Sequence, residues 1–505
     1  MKALFDQGAP EPCPDPFNLA AYVLQHAGDL PDKIALSVMG VSGSERWSYR
    51  SLNDAVLGTA TGLLQCGLVE GDVVLLRLGN TVDFPIAYLG AIAVGLIPVP
   101  TSSQLTECEV RKIAEQVSPK LVLQAPGVAC PQDIGCQIVA QDKLREFRDL
   151  PNSEFVLGDP NRLAYILFTS GTSGNSRAVA HAHRAIWARQ MMWQDWYDLK
   201  QSDRLLHAGA FNWSFTLGTG LMDPWSVGAT ALIPAEGTPL TSLPLLLKRH
   251  DATIFAAAPG VYRKLLHVHP KLDLPKLRHG LSAGEKISAT IRAEWEEATG
   301  KEVHEAFGMS ECSTFISGSP SHPAHNSLGR PQNGRRIAIL GSSGPVDIGE
   351  EGVIAVSNRD PGLMLGYLGA EDETSERFQD EWFLTGDLGI MDDGFEISYR
   401  GRADDMMNAG GFRVSPLEVE ASLSGFSGIK EVAVTDIEIK SDTKVIAAFY
   451  VANQNIDEDE LRKFAEERLA RYKQPRIYQQ IEVLPRGTNN KLLRRDLKLS
   501  KGQDT

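Results

Sequence analysis

Short apolar runs alternate with capped, Ala- and Leu-rich stretches as far as about residue 310, and that alternation constrains the fold more than any other feature. Residues 34–39 (Ile-Ala-Leu-Ser-Val-Met) read as a strand. Ser51-Leu52-Asn53-Asp54 resembles a capping box and opens a helix to about Gln65. Residues 73–78 read as a buried strand, Thr106-Glu107-Cys108-Glu109 caps another helix, and the strand 120–124 follows. The pattern predicts an α/β class: a large N-terminal domain of parallel-rich sheets with helices on their faces. The most hydrophobic segment, 84–99, carries Pro85 and Pro98 and is shorter than the ~20 residues a spanning helix needs. It predicts a buried helix running into a strand, and no membrane partner.

From about residue 335 short runs (337–340, 353–356, 395–399) are separated by Gly-rich turns, which suggests an antiparallel sheet or small barrel. Gly401-Arg402-Ala403-Asp404-Asp405 is polar and turn-like and marks a boundary, giving domains 1–401 and 402–505. Two domains suit a chain of 505 residues, too long for one core. Beyond the boundary, Ser415-Pro416 opens a helix, 432–434 and 445–451 read as strands, and 457–470 reads as a charged amphipathic helix. That is a small α+β C-terminal domain.

The net charge of −14, with no offsetting basic block, argues against nucleic acid as a partner. The six cysteines are scattered without a Cys-x-x-Cys, so neither a zinc site nor a disulfide scaffold is suggested, and a reducing, cytoplasmic home fits. The first residues hold no apolar signal core, and the last carry no lipidation or peroxisomal tail.

Chemistry first appears at Thr169-Ser170-Gly171-Thr172-Ser173-Gly174-Asn175-Ser176-Arg177, behind the strand-like run 163–168. The segment has almost no apolar surface to pack. Its glycines, N–H groups and hydroxyls can wrap a polyphosphate, and Arg177 supplies charge. It is not a Walker A loop, which needs Gly-Lys-Ser/Thr ahead of a helix. In a parallel sheet its expected place is beyond a strand's carboxyl end.

Further motifs follow in order: Ser282-Ala283-Gly284-Glu285, Phe307-Gly308-Met309-Ser310-Glu311, Leu384-Thr385-Gly386-Asp387, Gly401-Arg402, Asn408-Ala409-Gly410-Gly411 and Pro485 to Lys491. With this set the chain resembles, nearly end to end, the adenylate-forming enzymes: acyl- and aryl-CoA synthetases, adenylation domains of peptide synthetases, and firefly luciferase. The resemblance implies ATP, Mg²⁺ and coenzyme A as cofactors, and a mobile C-terminal domain. The first loop is similar to Thr-Ser-Gly-Thr-Thr-Gly-x-Pro-Lys-Gly, which holds the β- and γ-phosphates. Here Ser176, Arg177 and Ala178 replace its Pro, Lys and Gly, and Arg keeps the charge with a different donor geometry.

By the same resemblance, Ala283, Gly284 and Glu285 lie along the adenine and acyl pocket. Phe307 stacks on adenine beside Gly308 and Met309, and the Ser310 hydroxyl reaches the phosphate. Glu311 and Thr172 hold Mg²⁺. Asp387 and Arg402 take the ribose, and Asp404 is the hinge. Gly410 and Gly411 line the thiol's tunnel. Lys491 stabilises the charge on the α-phosphate and the acyl carboxylate, with Asn490 where Gly is usual.

The implied reaction adenylates a small-molecule carboxylic acid and passes the acyl group to a thiol. Asn212, Trp213, Ser214, Ala306, Ser313 and Thr314 align with the acyl pocket. Asn212 lacks the charge that amino-acid-activating relatives place there, and Trp213 and Phe215 can stack on a ring. An aromatic or cyclic acid is expected ahead of a medium-chain fatty acid, and CoA ahead of a separate carrier protein. A homodimer is a candidate assembly, and a catalytically silent nucleotide-binding homologue is the rival from another class.

Overall fold

A computed structural model describes residues 1–170, 176–287, 289–402, 406–409, 412–440, 443–452, 456–485, 492 and 494–497. The strands Ile34–Met39, Thr230–Pro234, Arg204–His207, Ile254–Ala256, His279–Ala283 and Val303–Met309 form the parallel centre of a nine-stranded sheet. Both faces are covered, so these strands are apolar runs rather than alternating ones. Antiparallel strands close its two edges: Ser44–Ser48 on one side, Ser313–Ser317 and Arg330–Pro331 on the other.

A second, four-stranded parallel sheet holds Ile97–Pro100, Val73–Arg77, Leu121–Gln124 and Gln137–Ala140. The helices Tyr49–Gln65 and Asp83–Ala93 supply the largest apolar core beside these sheets. Segment 84–99 is thus the buried helix and strand its composition predicts. Close packing of the helix Tyr49–Gln65 against Phe147 needs Gly62, where a Cβ would fall 2.2 Å from Phe147 Cγ.

Two local expectations are corrected. The first helix starts earlier than Ser51: its N-cap is Ser48, whose Oγ accepts from the Ser51 N–H at 3.1 Å. The reason is tertiary, because Tyr49 is fully buried and its hydroxyl donates to Ala229 O at 2.6 Å. The phosphate-type loop does not follow a strand of a parallel sheet. Leu163–Ser170 and Ser176–Ala182 are antiparallel partners with Ser170 opposite Ser176, and five residues separate them in sequence. That length is enough for an antiparallel connection and too short for a parallel crossover.

The later strands behave as their Gly-rich spacing suggests. Leu4–Phe5, Ile337–Gly341, Glu351–Ser357, Trp382–Met391 and Phe378–Gln379 form an antiparallel path joined by Gly344–Pro345 and Ile397–Arg402. Among the described residues its end strands do not pair with each other.

Further on, Ile429–Lys440, Thr443–Ala452 and Ile477–Gln480 form a separate sheet. The helix Pro416–Leu423 is capped by Ser415 with Pro416 first, and Glu458–Glu466 is capped by Asp457. They enclose their own core of Val419, Val434, Ile446 and Leu461. The helix expected over 457–470 ends at Glu466. Among the described residues no helix is long and apolar enough to cross a membrane.

Candidate active site

A cavity of about 190 Å³ opens where His279–Ala283 and Val303–Met309 reach their carboxyl ends. That is where parallel sheets collect ligands. Ala283, Gly284, Gly308, Met309 and Ser310 line it, with Phe168, Thr169 and Ser176 from the hairpin. The wall beside them is tightly turned. Pairing with Ser313–Ser317 slips register between Phe307 and Gly308, and Ser313 takes φ +63°. A Cβ on Gly308 would meet Ser313 O at 2.1 Å, so only glycine permits that approach.

The turn delivers Ser310 and Glu311. His181 Nε2–H donates to Ser310 O at 2.7 Å. Burial drives the His181 pKa down to about 4, so the ring is neutral at pH 7. Glu311 is buried, its carbonyl accepts from Met364 N–H at 2.7 Å, and its carboxylate accepts from the Tyr367 hydroxyl at 2.8 Å. Arg177 ties this cluster to the hairpin. Its guanidinium lies 4.8 Å above the Tyr367 ring, and its Nε is 2.6 Å from Glu373 Oε2.

Asp387 sits opposite Arg402 in register, buried, and accepts from the Tyr399 hydroxyl at 3.1 Å. Phe307 packs edge-on against Phe315 and 6.0 Å from Tyr399. The sequence-predicted ribose pair and the aromatic of the adenine motif are therefore neighbours.

Asn212, Trp213, Ser214, Ser313 and Thr314 line the cavity as well, whereas Ala306 packs with Ala283 in the core behind it. Phe215 stacks on Trp196 at 5.8 Å. Glu285 is partly buried next to Gly284. Gly171, Thr172, Ser173, Gly174, Asp404, Gly410, Gly411 and Lys491 lie outside the described residues, and of Ser170 and Arg402 only the backbone is described.

Several lining residues carry no prediction from sequence. Arg189 forms part of the floor, and Tyr472 and Lys473 close the other side with Phe412. Burial opposes the charge on Arg189, but Asp223 overrides it and holds the guanidinium above its ordinary value. Phe412, on the short hairpin of Met407–Ala409 and Phe412–Val414, stacks on Trp213 at 4.8 Å and on Tyr472 at 4.1 Å. Lys473 is buried and bridges Glu109 at 3.0 Å and Glu418 at 2.6 Å. Burial alone would lower its pKa, yet Tyr472, Glu418 and Glu109 raise it. Leu492 packs with Ala433, Phe449 and Leu484 beside the C-terminal sheet. The segment Tyr472-Lys473-Gln474-Pro475-Arg476 has a motif-like look, but nothing local signals its burial. Arg189 is signalled only as a lone cation in an apolar stretch.

The family model of AMP-binding enzymes matches residues 23–368, and that of the AMP-binding enzyme C-terminal domain matches 418–491. The mitochondrial acyl-coenzyme A synthetase ACSM3 of Rattus norvegicus is 28% identical, covering 96% of this chain and 90% of its own. The benzoate–CoA ligase of Thauera aromatica is 27% identical over 85% of this chain and 86% of its own. Among solved structures, the o-succinylbenzoate CoA synthetase of Bacillus subtilis superposes with a TM-score of 0.85 at 24% identity, covering 94% of this chain and 98% of that one. A benzoate CoA ligase from Burkholderia xenovorans gives 0.71 at 25% identity, covering 95% and 99%.

Proposed function

The chain belongs to the AMP-binding enzyme family, and from that membership we propose an AMP-forming CoA ligase whose acid is aromatic or cyclic. The observation that carries the choice of acid is the cavity. Trp213 and Phe215 face it together with the polar Asn212, Ser214 and Thr314. A single ring suits such walls better than a flexible chain.

In the first step the acid's carboxylate oxygen attacks the α-phosphorus of ATP and pyrophosphate leaves. In the second, the CoA thiol sulfur attacks the acyl carbon of the adenylate and AMP leaves. The protein's task in both is to position the reactants and balance charge. We assign Thr169 to Gly174 to the β- and γ-phosphates, with Arg177 steadied by Glu373 and Tyr367. Phe307, Ala283, Gly284 and Glu285 are assigned to the adenine side, Asp387 and Arg402 to the ribose, and Ser310 and Lys491 to the reacting phosphate.

Mg²⁺ is held by one or two carboxylates plus phosphate oxygens in such sites. The single buried carboxylate of Glu311 suits that donor set, with Thr172 as a second candidate. When bound, the cation supplies charge neutralisation on the phosphates. The boundary at 401/402 and a hinge at Asp404 are part of the same proposal. Phe412 already lines the cavity while Leu492 lies beside the C-terminal sheet. That placement supports an arrangement suited to the thiol step, to which we assign Gly410 and Gly411.

Acid-dependent pyrophosphate release from Mg·ATP tests the proposal, run over benzoates, cyclic acids, C2–C12 fatty acids and amino acids. Release with ring acids is expected. Release confined to fatty or amino acids would overturn the choice of acid.

A further inference from the structure

The floor of the cavity holds a buried cation with a donor to spare. Arg189 Nε and Nη2 grip Asp223 at 2.7 and 2.6 Å, a forked pair with Asp223 fully buried. Nη2 also reaches the Tyr197 and Thr219 hydroxyls at 3.3 Å each. Tyr197 in turn donates to Asp223 at 2.8 Å. Nη1 carries two hydrogens, and among the described residues Ser313 Oγ is its one acceptor. Ser313 is the residue held at φ +63°. Gly218 makes room for the guanidinium: a Cβ there would meet Arg189 Cζ at 2.3 Å. Arg189, Ser313 and Thr219 all border the cavity.

A buried donor wants an acceptor, and leaving it unmet is costly. The charge itself is already balanced by Asp223, so a second anion on the floor would be buried without compensation. We infer that Arg189, with Ser313 and Thr219, selects a ring acid bearing an uncharged oxygen acceptor, a hydroxyl or ring carbonyl, at the end remote from its reacting carboxylate. This inference rests on the ligase function proposed above and narrows it to a substrate class. Arg189 acts through the substituent and not on the reacting atoms.

The experiment compares kcat/KM for pyrophosphate release among benzoate, 3- and 4-hydroxybenzoate, cyclohexanecarboxylate, 4-oxocyclohexanecarboxylate and terephthalate. The ratio of two acids on one enzyme does not depend on how much of a variant is folded. The wild type should prefer the oxygenated acid over its plain parent by about ten- to hundredfold, the size of a hydrogen bond to a charged donor. In Arg189→Met that ratio should fall toward one. Arg189→Lys keeps a charge beside Asp223 but loses the fork, and its ratio should fall as well. Ser313→Ala and Thr219→Val, which leave the Arg189–Asp223 pair whole, should each shift the preference among the hydroxy isomers. Equal use of parent and oxygenated acids by the wild type would overturn the inference, as would a ratio untouched by Arg189→Lys or a preference for terephthalate. No release with any acid would instead overturn the ligase function on which it stands.

Discussion

The two sides of the cavity are built differently. The back wall is the large sheet, and the floor is built from helical segments beside it, with Arg189 ending Ala185–Ala188 and Thr219 on Thr216–Met222; buried pairs such as Arg189–Asp223 and Arg335–Asp360 anchor this side. Arg335 also donates to Thr314 O at 3.1 Å, which ties that pair to the lining strand. The opposite side is a thin seam. It consists of the Trp213–Phe412–Tyr472 stack and of Lys473 between Glu109 and Glu418. Buried ion pairs tied to neighbouring backbone and hydroxyls resist rearrangement, whereas a stack and one bridged lysine can part as a unit. Under the proposed function, the first side would recognise acid and nucleotide, and the seam would be the side that rearranges between the two chemical steps.

That contrast can be broken from either end. The largest effect is expected at Lys491→Ala, which should cut acid-dependent pyrophosphate release by about 10²–10³-fold, the scale of losing one charge-stabilising donor. Next comes the floor. Asp223→Ala leaves Arg189 buried and unbalanced, and should cost about 3–5 kcal/mol in denaturant unfolding.

A pH scan sharpens the same side. His181 is pushed down to about 4, His279 to about 4, and His207, His183 and His304 to about 3, all chiefly by burial. The unfolded chain takes up these protons near the ordinary histidine value and the folded chain does not. Stability is therefore present above about pH 6.5 and is lost as pH falls toward 4, by about 1 kcal/mol per histidine per pH unit. Thermal unfolding at pH 7.5, 6 and 5 checks the sign.

The smallest effect is expected at the seam. Phe412→Ala should cost only about 0.5–1.5 kcal/mol beyond lost burial, but it should slow thioester formation more than pyrophosphate release. Equal slowing of both steps would place Phe412 on the fixed side.

Much of this was legible in sequence because it is local. The Thr106–Glu109 capping box is present with both of its hydrogen bonds, and the Ser415–Pro416 helix start is where its residues put it. The motif order brought Gly284, Ser310 and Asn212 to one cavity. What could not be read depends on partners distant in the chain. Arg189 meets Asp223, 34 residues on, and Lys473 meets Glu109, 364 residues back. The hairpin at 163–182 was misplaced because an apolar strand reads alike in parallel and antiparallel company, and the next strand's direction is not in its composition. The N-cap slipped to Ser48 because the burial of Tyr49 outweighed the capping pattern three residues later.

The most direct test is a product analysis. The enzyme is incubated with Mg·ATP and a hydroxybenzoate, with and without CoA, and the products are identified by mass spectrometry. The account predicts aryl-adenylate and pyrophosphate without CoA, and aryl-CoA with stoichiometric AMP when CoA is added. Adenylate that persists unchanged in the presence of CoA, or ADP in place of AMP, would contradict it.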